Sequence, residues 1–334
     1  MSLEQKAAQL VMVPLLSGTP TTDAVAAVRD RGVGGVLLLG TGWTSASQVA
    51  AVTTELTAAA AAQEIKPWLA ADQEGGRVQR LKGEGFATIP PAVEQGAMTA
   101  DALTSQAAVW GGQLRTNGIN LDFAPVADSV DLANRGANAP IGALDRDFGL
   151  DPAGNGAHAA AVVTGLNEAG VGSAVKHFPG LGFVTGNTDF TAEGIRDSVT
   201  SPQSDSLEAF RLALAAQPTM VLMSLATYTQ IDPDAPAAYS PKVVTDLLRN
   251  QLGWTGVVTS DSLTATAVAQ VPVTERITRF VTAGGDLAVM GDLTTGLAAL
   301  DGLVAAAKDS PDLAKLVDEA AVRVLAAKIE AGLA

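Results

Sequence analysis

The chain has 334 residues, a formal net charge of −14 and no cysteine. The excess of 35 acidic over 21 basic residues argues against nucleic acid as a partner, because phosphate backbones are bound by clustered Lys and Arg side chains. The missing cysteines exclude disulfides, thiolate nucleophiles and zinc–thiolate sites, and no apolar run approaches the roughly 20 residues needed to cross a bilayer.

Short apolar runs rich in β-branched residues recur along the chain, and Ala-rich amphipathic stretches of helical length separate most of them. Continuous apolar strands that alternate with helices are typical of a buried parallel sheet. Eight such units predict an α/β protein with a single (β/α)₈ TIM-type barrel over residues 1–334, rather than an open doubly wound sheet. The predicted strands are 10–15, 34–39, 67–71, 119–126, 172–177, 220–225, 256–260 and 286–290.

Two helices illustrate how the elements between the strands are predicted. One spans 93–116 and ends at Asn117-Gly118, which is a typical helix stop. The other spans about 312–333 and places apolar residues at spacings of three to four on one face. The segment 38–42 (LLGTG) is too poor a match to a dinucleotide-binding turn to support the open-sheet alternative.

Charged residues concentrate where the predicted strands end, which is where an α/β barrel forms its active site. This concentration predicts an enzyme. The sequence has only two histidines and no His-x-x-x-His pattern, so we expect neither a metal nor a cofactor. His158 lies in a predicted helix and is expected to be structural, whereas His177 follows a strand and is expected to be functional. The strand-end groups are 72–77, Asp122, Asp128, 176–180 and 259–262.

Carboxylates dominate this inventory, and two of them suffice for retaining glycoside hydrolysis. One carboxylate attacks the anomeric carbon and the other protonates the departing oxygen, with the two groups about 5–5.5 Å apart. Asp261 suits the nucleophile because it stands at a strand end between two hydroxyl side chains, which are expected to hold the carboxylate. Its alternative role is that of a helix N-cap.

At these residues the sequence resembles the family 3 glycoside hydrolases. Within that family it is most similar to the bacterial β-N-acetylglucosaminidases that trim peptidoglycan-derived sugars. The similarity extends over nearly the whole chain. Its strongest points are DQEGGRVQRL (72–81), NLDFAPVAD (120–128), KHFPG (176–180) and SDSL (260–263).

The resemblance implies a role for each matching position. Asp261 matches the nucleophile that forms a glycosyl-enzyme intermediate. The implied substrate-binding residues hold sugar hydroxyls through charge-assisted hydrogen bonds, whereas Glu74 and Arg77 are expected to support the loop. The substrate-binding residues are Asp72, Arg80, Arg146, Lys176 and His177.

The sequence departs from the family where the general acid/base is expected. Similar enzymes carry a loop histidine two residues after an aspartate, but here Asn187 and Asp189 occupy these positions. Asp189 is the first candidate for the acid/base, because proximity to Asp261 and partial burial would raise its pKa. In the second reading, Glu193 swings in with the loop. In the third, protonation of the leaving group is weak or absent.

The resemblance implies an exo-acting hydrolase that removes terminal β-linked N-acetylglucosamine from a small saccharide. The alternatives are a weakly active or saccharide-binding protein, and a β-glucosidase or glycoside phosphorylase of the same family. The resemblance also implies a monomer. The missing cysteines, the acidic composition and the start directly at the barrel favour an exported or cell-envelope protein, with its leader removed, over a cytoplasmic one.

Overall fold

Eight parallel strands close into a barrel in the computed structural model, which describes residues 1–334. Each of the first six strands pairs with the next along the chain, and the first also pairs with the last. A bridge between Thr259 and Leu287 completes the closure. The predicted (β/α)₈ barrel is therefore confirmed. In chain order the strands are β1 (Val11–Leu16), β2 (Gly35–Leu39), β3 (Trp68–Ala71), β4 (Leu121–Asp122), β5 (Gly172–Phe178), β6 (Met220–Met223), β7 (Val257–Ser260) and β8 (Ala288–Val289).

Nearly every strand residue is buried, because one face of the sheet fills the barrel and helices cover the other face. No helix is both long enough and apolar enough to span a membrane. The α-helices are Leu3–Gln9, Thr22–Ala26, Ala46–Ala59, Ala92–Gln95, Ala100–Thr116, Pro152–Glu168, Leu207–Ala215, Val273–Ala283, Leu293–Asp309 and Pro311–Glu330. The π-helical segments are Ala27–Arg31 and Lys242–Gln251, and the 3₁₀ turns are Leu132–Ala137, Gly142–Leu144, Ala237–Tyr239 and Thr266–Val268.

The helix predicted over 93–116 is wrong, because the chain forms two helices there. The first ends at Gln95, and the second starts after Thr99, whose hydroxyl accepts a hydrogen bond from the backbone N–H of Ala102. Gly96, between them, lies against the carbonyl of Phe148 and leaves no room for a side chain. Close packing and a new N-cap thus replace the continuous helix that periodicity suggested.

The fourth strand is shorter than the predicted 119–126. Regular pairing covers only Leu121–Asp122, and an isolated bridge joins Val126 to Lys176. Pro125 has no N–H to donate to a ladder, so the chain beyond Asp122 leaves the regular strand geometry. This irregular segment carries Asp128 into the region above the barrel.

Short strand pairs brace the loops at the carboxyl ends of the barrel strands. After β3 the chain forms a hairpin between Gln73–Gly75 and Val78–Gln79. The Gln73 side chain bonds both the N–H and the carbonyl of Leu81, which fixes this hairpin to the chain that follows it. Two parallel pairs, Trp43–Ser45 with Leu81–Glu84 and Arg196–Asp197 with Thr227–Tyr228, connect other loops.

Candidate active site

A cavity of about 360 Å³ opens at the carboxyl ends of the barrel strands. Its volume lies within the range of small-molecule sites. The structure brings all seven predicted site residues to its lining, although they come from β5 and from four separate loops. These residues are Asp72, Arg80, Arg146, Lys176, His177, Asp189 and Asp261.

A wider cleft of about 1020 Å³ lies at the opposite end of the barrel. Gly172 and Val257, at the amino ends of β5 and β7, line it together with Trp254. The charged residues predicted for the site are all absent from this cleft. Because barrel enzymes place their chemistry at the carboxyl ends of the strands, the smaller cavity is the candidate active site.

Glu74 is the centre of an ion-pair cluster beneath the cavity. Its carboxylate accepts hydrogen bonds from Arg146 Nε at 2.8 Å and Arg146 Nη2 at 2.7 Å, and Lys176 Nζ lies 2.6 Å from Glu74 Oε1. Lys176 also donates to Asp72 Oδ1 at 2.8 Å. Burial by itself would raise the pKa of Glu74, but the two cations outweigh it and hold that pKa well below its ordinary value. The expectation that Glu74 supports other residues fits this geometry.

The same cluster keeps both of its cations charged. Burial opposes the charge on Lys176, but the carboxylates of Asp72 and Glu74 raise its pKa above the ordinary value. Burial likewise opposes the charge on Arg146, and Glu74 raises its pKa. Arg146 also donates to the carbonyl of Pro140 at 2.8 Å, so its guanidinium is fixed on two sides. Rigid donors of this kind bind sugar hydroxyls with defined direction.

His177 is held by a buried carboxylate. Asp128 Oδ2 lies 2.7 Å from His177 Nδ1, and Asp128 Oδ1 accepts from the backbone N–H groups of His177 and Leu181. The β5–β6 register skips His177, since Leu222 pairs with Lys176 and Met223 with Phe178. Neighbouring residues of a regular strand point to opposite faces, and this irregularity lets two consecutive side chains reach one cavity. The sequence did not predict that Asp128 orients His177, although Asp128 is the last residue of the NLDFAPVAD motif.

Arg80 lies beside Asp72 and has an unused hydrogen-bond donor. Its Nε lies 3.8 Å from Asp72 Oδ2, which is too far for a hydrogen bond. This Nε atom is buried and has no other hydrogen-bond partner. A buried donor without a partner is unfavourable unless a ligand satisfies it. Arg77, by contrast, is exposed and does not line the cavity.

Asp122 lies under this cluster as a second buried carboxyl. Its Oδ1 accepts from the backbone N–H of Gln73 at 3.0 Å, which joins β4 to the loop that carries Asp72. Burial raises the pKa of Asp122 to about 7, and the carboxylates of Asp72 and Glu74 add to that rise. Asp122 therefore positions the loop and does not line the cavity.

The loop after β5 brings Asp189 over the cavity and is anchored at two places. Near its start, Asn138 Nδ2 donates to the carbonyls of Leu181 at 2.7 Å and Val184 at 2.8 Å. Near its middle, Thr266 Oγ1 donates to the carbonyl of Asp189 at 2.9 Å. Neither anchor was predicted, and no sequence pattern marks them.

Asp189 has the electrostatic surroundings of a proton donor. Asp189 is an exposed residue, yet burial of its carboxyl in the cavity and the nearby Asp261 carboxylate raise the pKa of that carboxyl to about 6. Asn187 Oδ1 accepts from the backbone N–H of Asp189 at 3.0 Å, so this amide orients the loop without adding a charge. Glu193 is exposed and outside the cavity lining.

Asp261 lies directly after β7 and is half-buried. Its Oδ1 accepts from the backbone N–H of Ser262 at 2.8 Å. The expectation that the flanking hydroxyls hold this carboxylate is wrong: Ser260 Oγ accepts from the N–H of Val289, and Ser262 Oγ pairs with Thr264. A turn follows Asp261, so the residue is not a helix N-cap.

His158 lies outside the cavity lining. Its ring nitrogens lie 2.9 Å and 3.0 Å from the backbone carbonyl oxygens of Gly154 and Met98, and the ring packs near Phe148. No group of three or more His, Asp and Glu side chains is arranged to hold a metal ion.

Comparisons with known proteins place the chain in one family. The model of the glycosyl hydrolase family 3 N-terminal domain matches residues 2–327. A β-hexosaminidase of Stenotrophomonas maltophilia (strain R551-3) is 37% identical over 261 residues, which cover 75% of this chain and 74% of that protein.

Solved structures of two further relatives share the fold. The β-N-acetylhexosaminidase from Beutenbergia cavernae DSM 12333 has a TM-score of 0.94 and 42% identity, with 98% of each chain covered. A family 3 β-N-acetylglucosaminidase from Paenibacillus sp. str. FPU-7 has a TM-score of 0.88 and 29% identity. The match covers 100% of this chain and 63% of the Paenibacillus chain. The chain therefore belongs to glycosyl hydrolase family 3.

Proposed function

We propose that the protein is a retaining exo-β-N-acetylglucosaminidase that releases terminal β-linked N-acetylglucosamine from small saccharides such as peptidoglycan fragments. The observation that carries the proposal is the meeting of Asp189 and Asp261 in one cavity, next to the fixed cluster of Asp72, Arg146 and Lys176. The names of the related β-hexosaminidases support N-acetylglucosamine as the sugar.

In the first step, an Asp261 oxygen attacks the anomeric carbon and the bond from that carbon to the leaving oxygen breaks. Asp189 donates its proton to that oxygen. In the second step, Asp189 removes a proton from water, and the water oxygen replaces Asp261 at the anomeric carbon. N-acetylglucosamine is released, and both carboxyl groups return to their starting forms.

The electrostatics of the pair suit both steps. With Asp261 ionised, the pKa of Asp189 is about 6, so about half of this carboxyl is protonated at pH 6 and roughly a tenth at pH 7. When Asp261 becomes a neutral ester, its contribution to that rise disappears and the pKa of Asp189 falls. Asp189 is then ionised and able to act as the base.

The charged cluster supports recognition of the sugar. Asp72 and Arg146 are only partly exposed, and ion pairs with Lys176 and Glu74 respectively hold them in place, so little freedom is lost when hydroxyls bind. Arg80, Arg146 and Lys176 are the cations of the cavity that can offset the repulsion of an anionic muramyl group. Since carboxylates already neutralise Arg146 and Lys176, Arg80 is the one of the three with an unused donor.

The first experiment measures release of 4-nitrophenol from its β-N-acetylglucosaminide and from its β-glucoside, with and without phosphate. We expect wild-type turnover of the N-acetylglucosaminide without phosphate and abolition of turnover in Asp261→Asn, with an unchanged circular dichroism spectrum. Preference for the glucoside, or a need for phosphate, would contradict the proposed sugar or acceptor. Tight saccharide binding without turnover would support the binding-protein alternative.

The second experiment tests Asp189 as the acid/base. Asp189→Ala should lower kcat/KM on N,N′-diacetylchitobiose by ~10²–10⁴-fold and on the 4-nitrophenyl glycoside far less, because only the sugar leaving group needs a proton. Wild-type kcat/KM on the disaccharide should fall as the pH rises through about 6. Added azide should restore kcat of the variant on the aryl substrate. Glu193→Gln is the matched control. Equal losses on both substrates would sink the assignment.

A further inference from the structure

Phe190 is an exposed aromatic residue at the mouth of the cavity. It lines the cavity, yet 79% of its surface is accessible to solvent. The other seven phenylalanines are buried or half-buried, and no other aromatic residue in the chain is exposed. A free aromatic face at a concave polar site is a feature of ligand recognition.

The backbone around Phe190 is held in place. The Phe190 N–H donates to the carbonyl of Asn187 at 3.0 Å. The preceding carbonyl, that of Asp189, accepts from Thr266 Oγ1 at 2.9 Å and from the Thr266 N–H at 3.3 Å. The ring is therefore carried by a turn with fixed ends, which limits the entropy lost when a ligand contacts it.

The position next to Asp189 determines which part of a ligand the ring meets. In the proposed function, Asp189 reaches the glycosidic oxygen, and the leaving sugar begins at that atom. A side chain adjacent to the acid therefore stands on the leaving-group side, whereas Asp72, Arg146 and Lys176 bind the ring that is cleaved off.

We propose that Phe190 is a specificity-determining residue that packs against the pyranose ring of the leaving group. The C–H face of a β-linked sugar is apolar and flat enough to cover an aromatic ring. This inference rests on the proposed function. A protein partner is disfavoured, because Asp189, Thr191 and Glu193 around the ring are polar and leave no contiguous apolar patch.

The test compares two substrates that differ only on the leaving-group side. N,N′-diacetylchitobiose has a pyranose leaving group and methyl β-N-acetylglucosaminide has none, while both leave as alkoxides that need protonation. We expect Phe190→Ala to lower the ratio of kcat/KM for the disaccharide to that for the methyl glycoside by roughly 3- to 10-fold. Phe190→Tyr should preserve the ratio. Val199→Ala, which truncates another exposed apolar residue outside the cavity, should not change it.

A binding measurement separates this inference from the proposed function. Calorimetric titration of Asp261→Asn with the disaccharide and with N-acetylglucosamine requires no turnover. Adding Phe190→Ala should weaken disaccharide binding by a similar 3- to 10-fold and leave monosaccharide binding unchanged. An unchanged ratio in both experiments, or equal losses on both ligands, would overturn the role of Phe190. If the wild type shows no turnover but Phe190→Ala still weakens disaccharide binding alone, only the proposed hydrolase function would be overturned.

Discussion

Replacement of Glu74 by Gln is the most incisive test of the charged cluster. The amide occupies nearly the same volume but carries no charge. It leaves two buried cations, Arg146 and Lys176, with Asp72 as the remaining carboxylate in contact with Lys176. Arg146 retains the carbonyl of Pro140 and a 3.4 Å contact with His177.

The magnitude follows from the contacts that are lost. Removing one partner of a buried ion pair costs about 3–5 kcal/mol, because the other charge stays buried. The amide oxygen of Gln still accepts one hydrogen bond, so we expect the free energy of unfolding to fall by about 3 kcal/mol. The pKa of Glu74 is lowered by folding, so its contribution is present above the unfolded value of about 4.3 and is lost as the pH falls towards the folded value.

Urea unfolding at pH 7, followed by circular dichroism, measures this change. Glu84→Gln is the matched control, because Glu84 is exposed and makes no ion pair within 4 Å, and its effect should stay within about 0.5 kcal/mol. Steady-state kinetics of Glu74→Gln should show a higher KM, since Arg146 and Lys176 lose their fixed positions. A loss of stability no larger than that of Glu84→Gln would refute the view that Glu74 organises the cluster.

Two further predictions concern single charges. Asn187→Asp adds a negative charge beside Asp189 and should move the fall of kcat/KM on the disaccharide to higher pH, because a like charge raises the pKa of the acid; an unchanged pH profile would contradict the coupling. Lys328 is fully buried with Gln9 Oε1 as its hydrogen-bond acceptor, and burial lowers its pKa to about 7. Because the unfolded pKa is about 10.4, stability should rise with pH between these values. Lys328→Met should remove that rise and stabilise the protein at pH 7. The net gain should be roughly 2 kcal/mol, because the Gln9 oxygen that loses its donor offsets part of the benefit. Urea unfolding at several pH values checks this, and an equal slope in both proteins would contradict it.

The barrel was predictable because its signal is local. Each strand is buried on both faces, so its residues form an uninterrupted apolar run, and each run is followed by a helix. The concentration of charge after these runs identified the catalytic end, since parallel strands in a barrel all point the same way. The break at Gly96 was not predictable in this way, because the Phe148 carbonyl that packs there comes from a distant part of the chain.

The sequence by itself determined the fold class, the family resemblance and seven of the residues that line the cavity. Only the tertiary structure decided how those residues share charge. Glu74 lies between Arg146 and Lys176, and the raised pKa of Asp189 depends on burial and on a carboxylate 72 positions away in the chain. Electrostatic interactions depend on distance and dielectric surroundings, and neither quantity is encoded in the spacing of residues along a sequence.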